Sequence, residues 1–60
     1  MMEYKILATK NGQAFYHVIY NWQDAESTIE EFLRSGCAVE VWHGDVRFVP
    51  SLKQENEHNV

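Results

Sequence analysis

YKILATKNGQAFYHVIY, residues 4–20, is the stretch on which the fold turns, because Asn11-Gly12 stands between two runs of strand-forming residues. A two-residue type I′ turn needs positive φ at both central positions, and Asn-Gly supplies it best. With the turn there, Lys10 faces Gln13, Ala8 faces Phe15, Ile6 faces His17 and Tyr4 faces Ile19. One side of the hairpin then carries Tyr4, Ile6, Ala8, Phe15, His17 and Ile19. The other carries Lys5, Leu7, Thr9, Ala14, Tyr16, Val18 and Tyr20. Both sides are largely apolar, whereas a sheet in a small monomer normally keeps one face polar and wet.

Residues 22–35 read as a helix. Asn21 or Asp24 can cap its start. Asp24 and Glu26 suit the positive N-terminal end, Arg34 suits the negative C-terminal end, and Gly36 fits the left-handed position just past it. Trp22, Ala25, Ile29, Phe32 and Leu33 make one apolar stripe at helical spacing. Asp24, Thr28, Glu31 and Arg34 lie away from the stripe, with Glu26 and Glu30 at its edge. Such an amphipathic helix lies on a sheet.

Residues 38–49 read as a second hairpin, with Val39, Val41, Val46 and Phe48 alternating against Glu40, Trp42, Arg47 and Val49. The turn is His43-Gly44 or Gly44-Asp45. The two choices shift register by two residues, so the faces stay the same. The first puts Glu40 opposite Arg47. The second puts Trp42 there and permits a cation–π contact. Pro50 ends the pairing, since proline cannot donate to a ladder. The fold class is α+β, in the order ββαββ: a four-stranded, largely antiparallel sheet with one amphipathic helix on one face. Residues 1–50 make a single small domain. Residues 51–60, SLKQENEHNV, read as a flexible polar C-terminal tail.

Sixty residues, 45% of them hydrophobic, allow one small globular domain. A core of this size rarely supplies more than about 3–5 kcal/mol, so small domains need a staple. One cysteine, Cys37, excludes an intrachain disulfide. Cys37, His17, His43 and His58 show no zinc-binding spacing, so no metal or cofactor is expected. Oligomerisation is the remaining staple and the expected one. The lone cysteine and the lack of an apolar N-terminal stretch point to the cytoplasm. The apolar run from Ala14 to Tyr20, broken by His17, is too short for a bilayer. A net charge of −4 disfavours binding to nucleic-acid phosphates.

His43-Gly44-Asp45 is the obvious chemical candidate, because a His beside a carboxylate can act as base or metal ligand. Glycine with His or Asp is equally what a two-residue turn requires, and an exposed tip builds no pocket. His17 on an apolar face is expected to be a core or interface histidine. Cys37, just past Gly36, fits a small buried hydrophobe. No phosphate-binding loop, nucleophile elbow or metalloprotease motif is present, so no catalytic residue is expected. The acidic side of the helix (Asp24, Glu26, Glu30, Glu31) reads as a solvated surface.

The strongest signal is the face away from the helix. It gathers Leu7, Tyr16, Val18, Tyr20, Trp42 and Val49, edged by Lys5, Glu40 and Arg47, and is large for a monomer's exposed apolar patch. Leu7, Tyr16, Val18, Tyr20, Trp42, Arg47 and Val49 are therefore the candidate partner-binding residues. Two readings follow. The face is a protein interface, in a homodimer or on a larger protein with an adaptor or inhibitor-like role. Alternatively, its aromatics stack single-stranded nucleic-acid bases. Lys5 and Arg47 alone would meet the phosphates, which favours a protein partner.

Overall fold

The computed structural model describes residues 3–52. It contains β1 (Tyr4–Lys10), β2 (Gln13–Ile19), α1 (Trp22–Arg34), β3 (Ala38–His43) and β4 (Val46–Phe48). The four strands form one antiparallel sheet in the order β2-β1-β3-β4. Residues 53–60, most of the expected tail, lie outside the described residues.

The first hairpin forms as its turn dictates. Asn11 and Gly12 take φ of 54° and 80°, the signs of a type I′ turn. The register follows, from Lys10↔Gln13 to Tyr4↔Ile19 without a bulge. The second hairpin turns at Gly44-Asp45, with His43 opposite Val46 and Trp42 opposite Arg47. Gly44 has φ of 64° while Asp45 is not in the positive-φ region. Those signs suit a type II′ turn, which places glycine first.

The helix ends are closed by side chains and by its own backbone. Asn21 is the N-cap: its Oδ1 accepts from the Asp24 amide at 2.8 Å, and its Nδ2 donates to Asp24 Oδ2 at 2.9 Å. At the other end, the Cys37 amide donates to the Phe32 carbonyl and the Gly36 amide to that of Leu33, both at 3.0 Å. This is a Schellman motif, and it holds because Gly36 adopts φ of 91°. Lys10 reaches across from the end of β1 and donates from Nζ to the Ser35 carbonyl at 2.6 Å, satisfying a terminal acceptor with a cation.

The core is a strip between α1 and the two central strands. Ile6, Ala8, Val39 and Val41 point up from β1 and β3, and Ala25, Ile29 and Cys37 close over them. Cys37 is the buried small hydrophobe its position suggests. Tyr4, Ile19, Phe32, Leu33 and Phe48 pack partly buried around this strip.

Several inward positions depart from expectation. Phe15 and Val46 alternate toward the helix side yet are 41% and 60% exposed. A helix is about 10–12 Å across and strands sit about 4.8 Å apart, so one helix covers about two strands. β1 and β3 take that cover, and β2 and β4 fall outside it. Phe32 and Leu33 of the helix stripe are only partly buried, and Trp22 is exposed. Trp22 instead rests on Tyr4, ring centroids 5.5 Å apart.

Candidate functional site

The two chemically suggestive histidines, His43 and His17, pack against aromatic rings. His43 is the last residue of β3 rather than a turn residue. It lies opposite Tyr4 and stacks on it, with centroids 4.0 Å apart and planes 13° from parallel. Its Nε2 is buried and has no hydrogen-bond partner among the described residues. The expected exposed tip is thus half right: Gly44 and Asp45 are exposed, while His43 is half-buried on the helix side. His43 and Asp45 do not form a hydrogen-bonded pair. His17 is exposed on β2, its ring tilted against Phe32 at 5.4 Å, because β2 lies beyond the helix's cover. Among the described residues, no cluster of three or more His, Cys, Asp or Glu side chains is placed to hold a metal ion.

The face opposite the helix is built by strand alternation and by the three registers together. One row across it reads Val18 (β2), Lys5 (β1), Trp42 (β3), Arg47 (β4). The next reads Tyr16, Leu7, Glu40. A third, of smaller side chains, reads Ala14, Thr9, Ala38. Val49 follows β4 and leads away beside the second row. The sheet therefore brings Leu7, Tyr16, Val18, Trp42 and Arg47 onto one surface, with Tyr20 and Val49 continuing it past the ends of β2 and β4. Strand order decides this: β1 and β3 are neighbours, so the two hairpins share one continuous face.

That face is open. Tyr16 is 59% exposed, Trp42 41% and Val49 63%, with Val18 and Tyr20 also exposed. Leu7, at the centre, is half-buried by its neighbours. Trp22 lies on the other side of the sheet against Tyr4 and leaves the patch uncovered. A shallow depression lies between Leu7, Thr9, Ala38, Arg47 and Val49.

Charge frames the apolar surface. Arg47 pairs with Glu40 through Nε and Oε2, and its guanidinium carbon sits 5.9 Å from the centre of the Trp42 ring. The chosen turn sets Trp42 directly opposite Arg47, and the long arginine still reaches Glu40 diagonally. Both contacts raised by the two turn choices are therefore made at once. Lys5 lies on a central strand between Val18 and Trp42, with Glu3 at 3.9 Å as a loose partner.

The acidic helix residues Asp24, Glu26, Glu30 and Glu31 are all exposed, with Glu30 3.7 Å from Arg34 one turn on. No helix among the described residues is long and apolar enough to cross a membrane. Comparison with protein-family models, curated proteins and solved structures found no match.

Proposed function

We propose that this chain is a non-enzymatic protein–protein interaction module whose contact surface is the outer face of the sheet. The observation that carries the reading is the exposed group of Tyr16, Val18, Tyr20, Trp42 and Val49 around Leu7, opposite the helix. An aromatic surface with a polar rim and one arginine has the make-up of an interface centre. The part played is that of an adaptor or inhibitor-like subunit seated on a larger protein. A homodimer made by two such faces is less favoured. It would bring two copies of Lys5, from mid-face, into one interface, where the loose contact with Glu3 compensates little for desolvating the two ammonium groups. A larger partner offering apolar groups and one carboxylate would satisfy both the patch and Lys5.

Single-stranded nucleic acid is the second reading, favoured by the exposed aromatics alone. Of the two cations on the face, Arg47 is engaged with Glu40 and Lys5 lies near Glu3. That leaves little charge for phosphates.

Site-specific photo-cross-linking in the source cells tests both. A photoreactive amino acid at Trp42 or Val49 should give one discrete protein adduct, and the same group at exposed Glu31 should give none. Adducts to nucleic acid would transfer the face to the second reading. Identical adducts at all three positions, or none at any, would refute a specific outer-face contact.

A further inference from the structure

The two edges of the sheet are protected very differently. β4 has three residues, includes Arg47 and is followed by Pro50. Shortness, charge and proline are standard guards against strand addition. β2 has seven residues, QAFYHVI, with no Lys, Arg, Asp, Glu or Pro. Its register with β1 is unbroken, so no bulge turns it aside. Among the described residues it pairs with β1 alone. Gln13 to Val18 are all exposed, with Phe32 of the helix resting against Phe15 and His17 at the margin.

The turn fixes which backbone groups are free. In a two-residue hairpin the residues flanking the turn bond to each other, so Gln13 points its amide and carbonyl at β1. Alternation then aims those of Ala14, Tyr16 and Val18 outward, away from the sheet.

We infer that β2 pairs antiparallel with β2 of a second copy, about a two-fold axis at Tyr16, to make one continuous eight-stranded sheet. An antiparallel edge is self-complementary under a two-fold axis, and Tyr16 is the middle residue of the strand. With Tyr16 opposite Tyr16 of the second copy, Ala14 lies opposite Val18, and all three outward-facing residues enter the new ladder. Phe15 lies opposite His17 of the second copy on the helix side, so each exposed Phe15 ring gains one aromatic neighbour. No like charges meet, which removes the usual obstacle to self-pairing. This contact uses an edge and leaves the outer face free. It joins two outer faces side by side, with the two Tyr16 rings at the seam.

Sedimentation equilibrium of the full chain across a concentration series tests this, combined with amide hydrogen exchange. A reversible dimer is expected, with the Ala14, Tyr16 and Val18 amides gaining protection as dimer forms. Ala14→Pro removes an outward amide and no bond to β1, so the fold should survive while association weakens by at least about tenfold. Tyr16→Lys sets two ammonium groups opposite each other and should give a monomer, and mixing it with Tyr16→Glu should restore a dimer. Trp42→Asp, which would destroy the outer-face contact, should leave this dimer intact. A wild-type monomer at every concentration would overturn the edge pairing. So would a dimer lost on Trp42→Asp but indifferent to Ala14→Pro, or a monomer whose outward β2 amides are protected by its own chain.

Discussion

β1 and β2 come from one hairpin and are both rich in apolar residues, but they live in different environments. Ile6 and Ala8 of β1 are completely buried, whereas no residue of β2 is. Both strands carry apolar residues on both sides. The difference is position: β1 lies between two strands and beneath the helix, and β2 lies at the edge beyond the helix's width. Hydrophobic content therefore does not measure contribution to the core in a domain this small. The apolar surface of β2 stays largely exposed because the single helix reaches it only at its margin, through Phe32 against Phe15 and His17.

Substitution at matched inward positions sharpens that contrast. Ile6→Ala should cost about 2–4 kcal/mol, much of the stability of so small a domain, because it opens a cavity in the buried strip. Val46→Ala, equally inward by alternation but beyond the helix, should cost less than about 0.5 kcal/mol. Urea unfolding followed by circular dichroism measures both, and equal losses would break the comparison. Phe32→Ala falls between them. A fully buried Phe32 would cost about 3–5 kcal/mol. Phe32 is only partly buried, stacked on Phe15 at 6.0 Å, so about 1–2 kcal/mol is expected. A larger loss would mean that α1 shields β2 more than the exposure of Phe15 implies. Asn21→Ala should cost about 1 kcal/mol through loss of the cap, and thermal unfolding should register it as a lower midpoint. This loosens the cover over β1 and β3 without touching the sheet. Smaller still is Arg47→Ala on the outer face. Its ion pair with Glu40 is half-exposed, and its removal should change stability by less than about 0.5 kcal/mol.

The element order, the first turn and the division of residues between faces were legible in the sequence because each rests on local chemistry. Asn11-Gly12 fixes a register, and a register fixes every side chain's face. The candidate interface residues follow from the same parity: Leu7, Tyr16, Val18, Trp42 and Arg47 are found on one surface. The second hairpin was less legible. His43-Gly44 and Gly44-Asp45 both satisfy local turn rules, and only the observed pairing of His43 with Tyr4 and Val46 distinguishes them. With Gly44-Asp45 as the turn, His43 ends its strand on the inward side, half-buried on Tyr4 instead of exposed at the tip.

The ends of the helix show how far local information extends. Asn21, Asp24 and Gly36 predict the start and stop, and the caps are made by those residues. The Lys10 bond to Ser35 joins residues 25 apart in the chain, so no local pattern announces it. It depends on the first hairpin placing the end of β1 beside the end of α1.

By itself, the sequence determined the ββαββ order, the first hairpin's register, the helix limits and the two faces of the sheet. These are set by φ preferences, capping groups and the two-residue period of a strand, all of which act within a few residues. Tertiary structure alone decided that β1 and β3 are neighbours, that β2 and β4 are edges, and that Phe15 and Val46 stay exposed. Those outcomes depend on where one helix, about two strands wide, comes to rest on a sheet of four.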